Sequence, residues 1–343
     1  MVNADSTIGR GHLARSLSLA NEFALTVNEN QIRFIHWALD PALKDQINFE
    51  SELFEKAYLK TYLKNVTQKF ENLCLTIDSD DQTLHSSEFQ KFLNQENIFS
   101  AYFTVNNSYS YHCNVLMNPN IIAKFQEYNV SDNTQCFFGP AYFIYNKQYR
   151  DTVAQEHREE LHTVLITFGN ADPMDHTMTI LELIENIPIA KKLSFKVVLG
   201  KLYTGSKKAI KNIEKSTLDI TIYQDVLDMK PIMENVQLAI SSLGTTFWEL
   251  ALLNIPSIIL PGSLREAETA KILDSNKYAN CLLRVEEKVQ AQHGDILSQY
   301  LENPDQVALK LKELRSEINA NGISRLVQDL LQAFNQVSST INY

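Results

Sequence analysis

Two hydrophobic periods alternate along the chain. Short apolar runs bounded by turn residues lie at Ile32–Ala38, Leu73–Ile77, Ile98–Val105, Val115–Met117, Cys136–Phe138, Val164–Phe168, Phe195–Leu199, Ile220–Tyr223, Leu238–Ser241 and Ser257–Leu260. Between them, apolar residues recur at helical spacing over Gly11–Leu25, Phe89–Leu93, Thr177–Ile187, Leu227–Met233, Thr245–Leu253 and Glu266–Leu273. This alternation predicts an α/β architecture: parallel sheets covered by helices, with ligands at the carboxyl ends of the strands.

A charged helical stretch, Tyr149–Leu161, separates two such strand–helix series. It predicts two Rossmann-like domains, residues 1–148 and 149–322, with a ligand cleft between them. The last stretch, residues 323–343, carries an amphipathic pattern from Ile323 to Phe334 and is expected to pack back on the first domain. At 343 residues the chain is long enough for each half to bury its own core. It shows no internal repeat, low-complexity tract or coiled coil.

Composition narrows the partners. A net charge of -10 argues against nucleic acid and mildly against anionic membranes. No apolar run reaches bilayer length, and the first residues lack the form of a signal peptide. Cys74, Cys113, Cys136 and Cys281 are scattered, which fits a reduced cytoplasmic compartment. No cluster has metal-ligand spacing, so neither a metal nor another cofactor is expected.

Only 10 residues are glycine, so their placement is informative. Gly9 and Gly11 open Ile8-Gly9-Arg10-Gly11-His12-Leu13-Ala14-Arg15, a glycine turn leading into a helix. It is either an anion-binding turn built on free helix N–H groups or a structural one. His12 falls in the first helical turn, where the positive end of the helix dipole disfavours imidazolium and so favours a neutral, base-competent ring. Arg15 lies one turn on, within reach of a phosphate.

A second strand–turn–helix spans Leu238–Leu250. The hydroxyls and N–H groups of Ser241, Ser242, Gly244, Thr245 and Thr246 converge where a pyrophosphate would sit. Glu249, one turn in, either accepts ribose hydroxyls or complements the helix dipole. Trp248 is read as core. A third strand-end loop, Phe168–Pro173, offers Gly169 and Asn170 to a ligand, while Asp172-Pro173 suits the cap of the following helix.

Taken together these motifs resemble the UDP-2,4-diacetamido-2,4,6-trideoxy-altropyranose hydrolases of pseudaminic acid biosynthesis, within the MurG-like glycosyltransferase superfamily of GT-B fold. The family's IGxGHxxR, preceded by Asp/Ser, is matched from Asp5-Ser6 through Arg15. Its CDxLLN, GPxYxxL, GGxDP and SxxGTTxWEL pieces are matched at Cys113–Asn118, Gly139–Ile144, Phe168–Pro173 and Ser241–Leu250, in order along nearly the whole chain. The resemblance implies a UDP-sugar substrate, or a CMP-sugar, with the sugar on the first domain. Asp5, Gly9, Gly11, Arg15, Asp78 and Asn118 would line its site. Gly169, Asn170, Ser242, Gly244, Thr245 and Thr246 would hold the diphosphate side and Glu249 the ribose. His12 would deprotonate or orient water at the anomeric carbon.

Several positions depart from the family. Asp78-Ser79-Asp80 replaces an Asp-His-Tyr motif whose tyrosine lies in the active site; Asn106-Asn107 replaces an Asp-Asp pair; and Asn114 replaces the acidic member of CDxLLN. Leu264-Arg265-Glu266 replaces an Asn-Gln, and only Met1–Ala4 precedes the first motif where the family has a strand. These changes predict nucleotide recognition with a different sugar or acceptor, and they keep a glycosyltransferase acting on a glycan acceptor as the alternative to a hydrolase.

Overall fold

Alternate residues of the central strands face opposite cores, which is why two helical layers can cover one sheet. The computed structural model describes residues 11–36, 47–105, 107–150, 152, 160–226, 228–282 and 291–341. The chain divides into two units, Met1–Asn146 with Asn321–Tyr343, and Lys147–Ala320.

In the first unit a four-stranded parallel sheet runs β3 (Cys74–Asp78), β4 (Phe99–Phe103), β5 (Val115–Asn118), β6 (Gln135–Phe138). Beside it β1 (Arg33–His36) pairs in parallel with β2 (Glu50–Leu53). Tyr102 and Leu116 point to one face, among Ile77, Tyr111 and the helix Ser87–Gln95 that supplies Phe89 and Leu93. Ala101, Phe103, Val115 and Met117 point to the other. There they meet Leu19 of α1 (Gly11–Phe23) and Leu326, Val327 and Leu330 of the C-terminal helix Gly322–Ile341. That helix is also pinned by polar bonds. Tyr142 donates to Asp329 at 2.8 Å, and Ser324 donates to the buried Glu22 of α1 at 2.5 Å. At its first residue a Cβ on Gly322 would meet the Phe143 carbonyl oxygen at 2.5 Å.

The second unit carries a six-stranded parallel sheet. Its strands, in chain order, are β7 (Thr163–Thr167), β8 (Ser194–Leu199), β9 (Asp219–Gln224), β10 (Leu238–Ser241), β11 (Ser257–Ile259) and β12 (Asn280–Cys281). Their spatial order is β9-β8-β7-β10-β11-β12, the Rossmann order 3-2-1-4-5-6. The chain reverses direction across the sheet between β7 and β10, where Thr167 lies opposite Ser241.

The hydrophobic pattern missed elements whose burial is slight. Strand β2 reads Glu-Ser-Glu-Leu, has no buried residue, and lies against Arg33, which contacts Glu50 at 3.1 Å and Glu52 at 3.6 Å. The helix Ser206–Ile213 fully buries only Ala209. Helices Leu59–Thr67, Ala291–Glu302 and Pro304–Arg315 were likewise not expected from the pattern. The helix expected from Leu227 begins at Lys230, and Leu227 itself lies outside the described residues. So do Met1–Ala4, Asp5, Gly9, Asn106 and most of the expected linker Tyr149–Leu161. Among the described residues no helix is long and apolar enough to cross a membrane.

Candidate functional site

In the first unit, β3 ends on an aspartate that α1 surrounds with donors. Asp78 is only 2% exposed. Its Oδ1 lies 2.5 Å from His12 Nδ1 and accepts from Arg15 Nη2 at 2.5 Å; its Oδ2 accepts from Arg15 Nε at 2.8 Å. Ser16 Oγ donates to Oδ2 from 3.4 Å. His12 and Arg15 reach one carboxylate because residues three apart share a helix face.

Both oxygens of Asp78 are engaged inside the protein. Arg15 holds that carboxylate with Nε and Nη2, and its guanidinium lies 5.0 Å over the Phe103 ring. Burial would raise the Asp78 pKa, but the Arg15 charge and the bonds from His12 and Arg15 hold it below the ordinary carboxylate value.

The charge state of His12 departs from the neutral ring expected at a helix start. Its Nε2 faces Asp80 Oδ2 at 3.3 Å. The bonds to Asp78 and then Asp80 raise its pKa to about 9, against burial and the Arg15 charge, which act to lower it. Two carboxylates at contact distance outweigh a helix dipole that acts through partial charges. The ring is therefore imidazolium near neutral pH.

Sequence reasoning passed over the parts that hold this loop. Asp80 entered only as a departure from the family motif. His85, buried and stacked at 4.7 Å on Tyr109, donates from Nε2 to the Ser79 carbonyl at 2.7 Å and so pins the residue between the two aspartates. The available signal was a pair of aspartates at the carboxyl end of a strand.

Asn118, at the end of β5, is fully buried. Its Nδ2 donates to Tyr128 Oη at 2.9 Å, and its Oδ1 accepts from the Asn120 N–H at 3.0 Å. It builds a turn. Gly11 opens α1.

In the second unit, the candidate nucleotide loops follow β7 and β10, the two strands flanking the reversal point. Gly169 adopts φ +75°, which favours glycine. The loop is laced to the one after β8, for Asn170 Oδ1 accepts from Lys201 N–H at 3.1 Å and its carbonyl from Leu202 N–H at 2.9 Å. A Cβ on Gly200 would lie 2.3 Å from the carbonyl oxygens of both Gly169 and Asn170, so this packing requires glycine. Asp172 accepts from the N–H groups of His176 at 2.9 Å and Thr177 at 2.8 Å, capping the next helix.

After β10, the turn Ser242–Gly244 leads into the helix Thr245–Leu252. Gly244 at its N-cap supplies no side-chain acceptor to the first-turn N–H groups. Thr245 is exposed and Thr246 partly so. Ser241 is 1% exposed, and its hydroxyl has no hydrogen-bond partner among the described residues. Glu266 braces this turn: its Oε2 accepts from Leu243 N–H at 3.1 Å and Gly262 N–H at 2.8 Å. The same residue forms part of the Ser263 cap, whose Oγ accepts from Glu266 N–H at 3.2 Å. Glu249 is buried beside Tyr149, whose hydroxyl pKa is raised by burial and by that carboxylate. Trp248 packs edge-on against Phe247 at 5.1 Å, in the core. Among the described residues no His, Cys, Asp and Glu group is arranged to hold a metal.

These features define a protein of GT-B fold. Solved structures of similar shape include the Acinetobacter baumannii MurG, with a TM-score of 0.68 at 11% identity over 94% of this chain and 96% of that one. A glycosyltransferase from Rickettsia africae matches at TM-score 0.62 and 11% identity, over 98% and 97%. The calicheamicin glycosyltransferase CalG4 matches at 0.60 and 11%, over 96% of each. In sequence, the chain is 24% identical over 263 residues to an uncharacterized protein of Methanocaldococcus jannaschii, covering 74% of this chain and 53% of that protein. The chain thus spans about half the length of that relative. No protein-family profile matches the chain.

Proposed function

We propose that the protein cleaves the anomeric C–O bond of a nucleotide sugar and releases the nucleoside diphosphate. The observation that carries this reading is the turn after β10. An uncapped helix N-terminus, the exposed Thr245 and the unpartnered buried hydroxyl of Ser241 lie at the reversal point of a Rossmann sheet. Such a point is where nucleotides bind, and oriented N–H groups there stabilise the charge that grows on a departing diphosphate.

The roles follow. Ser242, Gly244, Thr245 and Thr246 hold the diphosphate, Gly169 and Asn170 border it, and Glu249 takes the ribose. His12 acts on the sugar side as a cation fixed by Asp78. The substrate is a UDP-sugar; a CMP-sugar, which would release the monophosphate CMP instead, is the other candidate. The acceptor of the sugar is water, as in the nonulosonic acid hydrolases that the motifs resemble, and the reading carries a cytoplasmic location with it. One observation favours the second reading, transfer to a glycan hydroxyl: the fold neighbours named above are glycosyltransferases.

Calorimetric titration with UDP and CMP tests the nucleotide half of the reading. Binding of either, weakened in Thr245→Val and Ser241→Ala and unchanged in His12→Gln, is the expected result. Absence of binding by both would refute it.

A further inference from the structure

We propose that the Asp80 carboxylate, and not the His12 imidazole, accepts the proton of the incoming nucleophile. This rests on the nucleotide-sugar reading above and assigns a catalytic residue to it.

His12 meets a carboxylate at each of its two ring nitrogens. Nδ1 lies 2.5 Å from Asp78 Oδ1, and Nε2 lies 3.3 Å from Asp80 Oδ2. Ionised carboxylates only accept hydrogen bonds, and a neutral imidazole carries one N–H. A neutral ring would therefore turn a lone pair toward one of the two carboxylates. Imidazolium satisfies both. The third charged group at the ring is Arg15, whose Nη2 sits 3.3 Å from Nδ1. The ring thus lies between two carboxylates, with one guanidinium beside it. The raised His12 pKa agrees with these two contacts.

A cationic ring has no lone pair for a proton. Of the two carboxylates, Asp78 is enclosed and both of its oxygens are engaged. The Asp80 side chain is 72% exposed, so a water or sugar hydroxyl can approach it. Its neighbours are placed to aim it. Ser79 is pinned by His85, Ser79 Oγ accepts from the Asp81 N–H at 3.1 Å, and Asp81 caps the short helix Gln82–His85.

The step balances without a further reactant. The nucleophile's O–H proton passes to Asp80 as its oxygen bonds to the anomeric carbon. The bond from that carbon to the phosphate oxygen breaks, and its electron pair leaves with the nucleotide, UDP from a UDP-sugar or CMP from a CMP-sugar. Asp80 then returns the proton to solvent. His12 remains charged throughout and is a positioning residue, orienting the carboxylate through Nε2–H.

The test uses the full chain and a panel of UDP- and CMP-sugars, with the donor that the wild-type protein turns over. Asp80→Asn is expected to lower kcat by about 100-fold or more while leaving UDP affinity within about twofold, the usual weight of a general base. Formate is expected to restore kcat in Asp80→Gly by about tenfold or more. Nitrogen-15 histidine spectra of the ligand-free protein supply a readout independent of turnover. His12 should titrate well above pH 7 in the wild type and still above pH 7 in Asp80→Asn. Wild-type His12 titrating below pH 7 would overturn the proposal, by returning the proton-accepting role to the ring. Near-wild-type kcat in Asp80→Asn would also overturn it, as would Asp80→Gly unresponsive to formate. A wild-type protein that binds no UDP or CMP and releases neither from any donor overturns the nucleotide-sugar reading itself, and the proposal with it.

Discussion

Replacing Asp78 by asparagine tests the charge network at its centre. The substitution keeps the shape of the side chain and removes one buried negative charge. The amide oxygen still accepts one bond, but its NH2 group must face the donors of Arg15 or His12. In the wild type His12 is raised from 6.5 to about 9, with the Asp78 bond as the largest cause. At 1.36 kcal/mol per pH unit that rise amounts to about 3 kcal/mol, and about 2 after allowing for solvent around the exposed Asp80. The sign is fixed by linkage. A folded pKa above the unfolded one stabilises the native state fully below about pH 6.5, and that contribution fades as pH rises through about 9.

Urea denaturation of the wild type should therefore show stability falling by about 2 kcal/mol between pH 6 and 10 from this group. In Asp78→Asn that slope should largely vanish. Unfolding free energy at pH 7 should drop by about 3 kcal/mol, because Arg15 is left without its carboxylate. Histidine NMR should find His12 titrating at least one unit lower. If the His12 titration stays near pH 9 in the variant, or stability at pH 7 changes by less than about 1 kcal/mol, Asp78 is not the anchor of the cluster.

Substitutions at four positions probe the second unit. Ser241→Ala removes a buried hydroxyl that has no partner among the described residues, so thermal stability should hold or rise slightly, while UDP binds about tenfold more weakly by calorimetry, the loss expected for one bond to a charged oxygen. Glu266→Ala leaves the N–H groups of Leu243 and Gly262 without their carboxylate, at a cost of about 2–3 kcal/mol in urea denaturation; Glu266→Gln, which keeps an acceptor, should lose less than half of that. Gly200→Ala forces a Cβ against two carbonyl oxygens and should cost about 3 kcal/mol or more, whereas Gly169→Ala meets no atom within 4 Å and should cost only the left-handed strain of about 1–2 kcal/mol. Equal losses at the two glycines would show that the loop after β7 is not packed as described.

How much was legible beforehand followed burial. Strands such as Leu238–Ser241 and Val115–Asn118 are wholly buried, and their apolar runs stand out in the sequence. The strand Glu50–Leu53 and the lysine-rich helix Ser206–Ile213 bury little, so their residues carry almost no periodic signal. At the candidate site, sequence spacing brought His12 and Arg15 to one helix face. It did not reveal that Asp78, 63 residues from Arg15, would sit between them. A local argument about the helix start predicts neutral His12, and a contact that only the fold creates makes the ring cationic. The turn around Asn118 was hidden for a related reason: an asparagine at a strand's carboxyl end serves a turn as readily as a ligand.

The most direct test of the central claim is nucleotide release in oxygen-18 water from the panel of UDP- and CMP-sugars, measured with and without glycan acceptors. Release without acceptor, with the label in the freed sugar and none in the nucleotide, is the predicted result. Label appearing in the nucleotide would place the cleavage at phosphorus and contradict the account, as would no release from any donor under either condition.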